Sequence, residues 1–260
     1  MPIQCLTTTY SALWLVLRAE HKYRFNMKSS NQWDHIVVGA GAAGSAIAAR
    51  LSEDRGRNVL LLEAGPDYPD STKLPKDITN GKRNSMFKHD WGFMHTTNSQ
   101  QKVPFKLPRG RVVGGSSAVN TCIALRGIPQ DYDEWADMGL DEWTWDKCLP
   151  AFKKLEADQD FNDEYHNQKG PITIRRHPPE ELVPWQAAFL EACDELGYPK
   201  CEDHNNPNQT GAGPHAMNKV NGVRFSAAMG YLTPAVRSRA NLTIKPDSLA
   251  HRVIFYNGQA

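Results

Sequence analysis

The chain has 260 residues, enough for one large domain or two modest ones with a substantial core, so size excludes little. Its 30 Lys and Arg stand against 29 Asp and Glu, a net charge of +1 that gives no reason to expect nucleic acid or an anionic membrane and points to a small-molecule ligand. The five cysteines (Cys5, Cys122, Cys148, Cys193 and Cys201) form no C-x-x-C pair, which fits neither a disulfide scaffold nor a zinc cluster and leads us to expect reduced thiols in a cytoplasmic compartment and no metal site.

Residues 1–30 contain the apolar run Ser11 to Leu17, which is too short to span a bilayer. The basic residues Arg18, Lys22 and Arg24 follow this run rather than precede it, the wrong order for a secretory signal. The segment is expected to be a disordered or non-native extension, with Met27 a plausible start.

From Asp34 the pattern changes. Ile36, Val37 and Val38 read as a buried strand meeting a tight turn at Gly39. The run Gly39-Ala40-Gly41-Ala42-Ala43-Gly44 has G-x-G-x-x-G spacing, and Ala46, Ile47, Ala49 and Leu51 give the apolar face of a following helix. A second strand, Asn58 to Leu62, runs into Glu63, about 20 residues past the third glycine, where a carboxylate bonds the ribose of an adenine dinucleotide. Gly39 permits the turn, Gly41 lets a pyrophosphate approach the backbone, and Gly44 lets helix and strand pack closely, while free N–H groups at the helix start hold negative charge. Dinucleotide binding follows; the choice between NAD and FAD stays open on these residues.

Residues 67–108 are rich in turns, and the His-Asp pair in Lys88-His89-Asp90-Trp91-Gly92 reads as surface packing. The stretch Gly110 to Asn120 (GRVVGGSSAVN) supplies unblocked N–H groups and hydroxyls suited to a phosphate or polar ring, and Asn120 adds an amide. Residues 128–157 read as helices joined at Trp143, with Trp135, Leu149, Phe152 and Leu155 on one apolar face. Beyond the polar loop 158–170, Pro171 to Arg176 alternates as a strand and Trp185 to Leu196 reads as an amphipathic helix ended by Gly197. Asn221-Gly222 signals a hairpin, Arg224 to Arg237 turns helical, and 241–258 becomes strand, with the acceptor-like Asn241-Leu242-Thr243 in it taken as chance.

Taken together, Asp34 to Gly44, Leu60 to Asp67 (LLLEAGPD) and Gly110 to Gly127 resemble the glucose-methanol-choline oxidoreductase family in order and separation. The resemblance continues through Asp131 to Trp135, the Trp143-Thr144-Trp145 turn and Leu149 to Glu156, and resumes at Arg224 to Ala228 and Asn241 to Ile244. It implies an α/β fold: a Rossmann-like FAD-binding domain, three-layered on a parallel sheet, with the beginning of an α+β substrate-binding domain. The implied divisions are 31–168 and 224–260 for the FAD part and 169–223 for the substrate part. The implied FAD contacts are Gly39, Ala40, Gly41, Ala42, Ala43 and Gly44, Glu63 and Ala64, then Arg111, Val113, Gly114, Gly115, Ser116, Asn120 and Thr121, and finally Ala250, where the family usually has a valine. Some members tether the flavin through a histidine just before the asparagine; here that position is Val119, so noncovalent FAD is expected.

The resemblance also implies oxidation of a small alcohol, in which a base takes the hydroxyl proton while hydride passes to FAD. None of the nine histidines occupies the family's catalytic motif, which lies in a C-terminal half absent from this chain. His204 and His215 read as loop histidines, and no catalytic residue is named. The 260 residues alone are expected to be inactive and prone to associate through the surface that half would cover. The alternatives are a non-catalytic truncated fragment and an NAD-dependent dehydrogenase.

Overall fold

The computed structural model describes residues 32–85, 87–98 and 100–255, so the expectations for residues 1–30 and for the end of the strand expected over 241–258 lie outside the described residues. In chain order the elements are β1 (His35–Val38), α1 (Ala42–Leu51), β2 (Val59–Leu62), α2 (Lys76–Thr79), β3 (Met94–His95), β4 (Phe105–Lys106), α3 (Pro129–Asp137) and α4 (Trp145–Leu155). There follow β5 (Glu156–Asp158), β6 (Ile172–Ile174), α5 (Pro184–Glu195), β7 (Lys219–Val220), β8 (Val223–Arg224), α6 (Ala227–Tyr231), α7 (Pro234–Arg237) and β9 (Leu242–Lys245).

The site is built on a three-stranded parallel sheet in the order β1–β2–β9. β1 and β2 pair from His35 opposite Val59 to Val38 opposite Leu62, with α1 as the crossover, and β9 lies parallel on the far side of β2. The glycine of the helix is required here: a Cβ on Gly44 would collide with the Gly39 carbonyl. The core gathers Ala40, Ala48, Val59, Leu61, Val113, Leu232 and Leu242. β2 sits at its centre and buries Val59, Leu60 and Leu61. β1 departs from the expected buried strand. It is an edge among the described residues, and its alternate side chains Ile36 and Val38 are 53% and 62% exposed because no described neighbour covers them.

Three further expectations are modified, one by tertiary contacts and two by prolines and a left-handed residue in the chain itself. The helical seam of 128–157 centres on Tyr132 and Trp145, which are buried, whereas Trp135 is exposed. Tyr132 turns inward because its hydroxyl accepts the Gly127 N–H at 3.0 Å and its ring meets Trp145 and Phe152 at 5.6 Å. The helix expected over 224–237 is two short helices, α6 capped by Ser226 and α7 begun by Pro234, which forces Thr233 into an extended conformation. The last strand stops at Lys245, where Pro246 and the positive φ of Asp247 (50°) end it. The hairpin at 221–222 forms as expected, with φ of 51° and 73° at Asn221 and Gly222 and β7 antiparallel to β8. Among the described residues no helix is long and apolar enough to cross a membrane, and Cys122, Cys148, Cys193 and Cys201 are free.

Candidate cofactor-binding site

The first turn of α1 opens on Gly41, which caps it with no side-chain acceptor and with no acidic residue in that turn, so its N–H groups face outward for an anion. The preceding residue is locked from both sides. Ala40 donates its N–H to Glu63 Oε2 at 2.9 Å, and its carbonyl accepts the Gly114 N–H at 2.7 Å. Glu63 Oε1 also accepts the Gly65 N–H at 2.9 Å, so this buried carboxylate joins the ends of β1 and β2 and keeps its remaining lone pairs for a ligand.

The second glycine segment comes back to back with the first. Gly114 is left-handed (φ 104°), as is Gly115 (φ 52°), and a Cβ on Gly115 would stand 2.6 Å from the Gly41 Cα. Two backbones approach where any side chain would intervene, and between them opens a cleft of about 570 Å³, a size typical of small-molecule sites. Gly39, Gly41, Ala42, Glu63 and Ala64 line it from the β1–α1–β2 side, and Gly115, Ser116 and Ala250 from the others. Other expected residues support the cleft. Ala40 and Val113 belong to the core, Gly44 is buried against β1, and Ala43 is exposed on the first turn of α1. Gly114 bonds to Ala40, Asn120 Oδ1 accepts the Cys122 N–H at 3.0 Å, and Thr121 is exposed. Arg111 sends its Nε–H to the Ala64 carbonyl at 3.2 Å and lays its guanidinium 5.3 Å from the Trp91 ring centre.

Trp91, Phe93 and Arg109 also line the cleft and are missing from the set read off the sequence. Their signal is the polar-aromatic stretch around Trp91, whose neighbour His89 is buried rather than on the surface. Neither loop histidine reaches the cleft. His204 spans Cys201 Sγ (3.5 Å) and the Gly213 carbonyl (3.2 Å), and the His215 ring lies 5.3 Å from it.

A second cluster, for which no motif in the sequence prepares, is a buried ion network. His166 sets Nδ1 3.1 Å from Glu156 Oε1 and Nε2 2.8 Å from Asp203 Oδ2. Arg176 bonds both oxygens of Asp158 at 3.0 and 2.9 Å, and Arg126 stands 2.7 Å from Glu156. Burial alone would lower the His166 pKa, but hydrogen bonds to Asp158, Asp203 and Glu156 outweigh it and raise it to about 11.

A parallel β–α–β unit with glycines at the turn, a free helix N-terminus and a carboxylate at the second strand end defines a dinucleotide-binding α/β protein of Rossmann-like fold. Comparison narrows the class. The family described as GMC oxidoreductase matches residues 33–260. The oxygen-dependent choline dehydrogenase of Photobacterium profundum is 36% identical over 230 residues, covering 88% of this chain and 40% of that protein. The mitochondrial choline dehydrogenase of Homo sapiens is 35% identical over 249 residues, covering 90% and 40%. Among solved structures, pyridoxine 4-oxidase from Mesorbium loti matches with a TM-score of 0.75 and 36% identity over 83% of this chain and 42% of that one. This chain belongs to the GMC oxidoreductase family, whose members are FAD-dependent flavoproteins. It spans about 40% of the length of the curated relatives named.

Proposed function

We propose that this chain binds FAD noncovalently in the cleft and forms the nucleotide-binding part of an oxidoreductase that oxidises the CH–OH group of a small alcohol. The observation that carries the reading is the contact of the two glycine turns at Gly41 and Gly115, a cradle that added side chains would fill. The residues present fit the group. The N–H groups at the start of α1 hold the pyrophosphate, and the spare lone pairs of Glu63 accept from ribose hydroxyls. Gly115 and Ser116 offer backbone and hydroxyl contacts, while Trp91 and Phe93 cover an apolar side and exclude water. Bound there, the flavin supplies the hydride acceptor. Val119, at the position where some family members tether the flavin, is an apolar residue packed against Ile78, Val112 and Ala118 and offers no nucleophile.

The proton remains to be placed. No histidine lines the cleft among the described residues, and the chain spans about 40% of its relatives' length, so we assign the base to the part of the family's length that this chain does not cover. Residues 31–168 and 224–260 then form the FAD part and 169–223 the start of the substrate part. The relatives' names, choline dehydrogenase and pyridoxine 4-oxidase, point to primary alcohols as the substrate class.

Titration of the purified chain with FAD, followed by flavin fluorescence, should show saturable binding. Gly115→Val should weaken it by about tenfold or more, because the new side chain overlaps Gly41 and strains a left-handed residue. Acid precipitation should leave the flavin in the supernatant; flavin in the pellet would sink noncovalent binding. Alcohol-dependent bleaching by the chain alone would show that the base is already present.

A further inference from the structure

Between residues 87 and 111 the chain leaves the core and forms a flap over one side of the cleft. It carries the small β3–β4 hairpin and supplies Trp91, Phe93, Arg109 and Gly110 to the lining. Among its described residues the flap has no apolar core of its own, since Phe87, Met94, Val103 and Phe105 are all exposed. Among its described residues one side chain is buried: His89, at 3% exposure. In a flap of this length with neither long strands nor apolar packing, the bonds that fix that side chain anchor its base to the core.

His89 is fixed at both ring nitrogens. Nδ1 lies 2.7 Å from Asp77 Oδ2 and Nε2 2.8 Å from the Tyr68 hydroxyl, with the Tyr68 ring edge-on at 5.4 Å. Asp77 is itself immobilised. Its Oδ2 accepts from Ser85 Oγ at 2.6 Å, and its main-chain carbonyl accepts from Arg224. Arg224 is fully buried and its guanidinium also donates to the carbonyls of Ile78, Asn80, Arg83, Ala118 and Asn120, so this knot also holds the segment following Ser116 and Ser117. Burial pushes the Asp77 pKa up, but hydrogen bonds from Ser85 and His89 outweigh it and hold the group ionised, which strengthens its bond to the ring.

The hold passes to the cleft through the main chain. The His89 carbonyl accepts the Arg111 N–H at 2.8 Å, and Trp91 donates its N–H to the Arg109 carbonyl at 3.0 Å. The Asp90 carboxylate takes the Arg109 N–H at 2.8 Å. Residues 89–91 and 109–111 thus form a ladder at the base of the flap. Trp91 stands on it, stacked on Phe93 with ring centres 5.8 Å apart.

We propose that His89 is a positioning residue: clamped between Asp77 and Tyr68, it sets where the Trp91–Phe93 wall closes on the cofactor cleft. The wall's role rests on the reading of the cleft as an FAD site. His89→Phe removes both hydrogen bonds and keeps an aromatic ring; Tyr68→Phe removes only one. In the FAD-free 260-residue chain, trypsin should cut the flap at Lys102 and Lys106 about tenfold faster or more in His89→Phe, with the rest of the chain as resistant as before. The same variant should bind FAD about tenfold more weakly and change the visible circular dichroism of the bound flavin. Tyr68→Phe should move each readout in the same direction by less, which keeps the test decisive if His89→Phe does not fold. Flap cleavage and FAD affinity equal to the parent in both variants would overturn the proposal, as would Tyr68→Phe loosening the core as much as the flap. If the parent takes no FAD while flap cleavage still rises, the cofactor reading falls and the hold of His89 on the flap stands.

Discussion

His166 has a carboxylate oxygen against each ring nitrogen, and only the imidazolium donates from both. A neutral ring would turn a lone pair toward a carboxylate. The charges agree among the buried members: Glu156, Asp158 and Asp203 bring three negative charges, Arg126 and Arg176 two positive, and a protonated His166 completes the balance, while the more exposed Asp160 adds a fourth carboxylate 3.3 Å from Arg176. The folded pKa of about 11 lies above the ordinary 6.5, so the stability His166 contributes is complete below pH 6.5 and drains away as pH rises toward 11. On the acid side, the Asp203 pKa is pushed up by burial but pulled further down, to about 2 from 3.8, by His166 and Arg176. Its contribution holds above pH 3.8 and fades as pH falls through 2. His166→Gln should cost about 3–5 kcal/mol at pH 6, the usual penalty for stranding buried charges. Its thermal midpoint should also lack the decline above pH 6.5 expected of the parent. Parallel pH profiles for the two proteins would refute the imidazolium.

Elements specified by residues adjacent in the chain are legible in the sequence. β1, α1 and β2 follow from two aliphatic runs and three glycines, and the β7–β8 turn follows from Asn221-Gly222 alone. At that turn, Gly222→Ala should destabilise by about 1 kcal/mol in urea unfolding, since alanine must take φ near 73°. The consequence reaches further than a loop, because Arg224 at the end of β8 is the guanidinium that ties residues 77–83 to 118–120. What the sequence hides depends on partners distant in the chain. His89 is paired with residues 12 and 21 positions away, and the His166 ring reaches Asp203 across 37. In the 128–157 segment the periodicity correctly indicates helices and places Phe152 in the seam, but it misses Tyr132, which the Gly127 N–H bond and the rings of Trp145 and Phe152 hold inward. The glycines of the cleft are legible as a motif; the closeness of Gly41 to Gly115, far along the chain, is a product of folding.

At the scale of the whole molecule, the chain shows more apolar surface than a self-sufficient domain does. Parallel sheets are ordinarily covered on both faces and continue past their first strand, yet β1 presents Ile36 and Val38 at an open edge among the described residues. α5 buries none of its residues, and Trp185 (87% exposed) and Phe189 on it and Leu196 at its C-cap recur at helical spacing. Contiguous apolar patches of this kind mark surfaces that another body covers. The chain should therefore self-associate at concentrations on the order of 10 µM, as seen by sedimentation velocity. The double change Trp185→Asp and Phe189→Asp should shift it toward monomer. Both residues lie off the cleft, so FAD affinity should be unchanged, which separates a contact surface from a cofactor contact. Should the double variant stay associated, β1 is the remaining candidate, and Ile36→Lys tests it by placing a charge on the open edge away from the cleft. A protein monomeric throughout this range would show that neither surface is adhesive on its own.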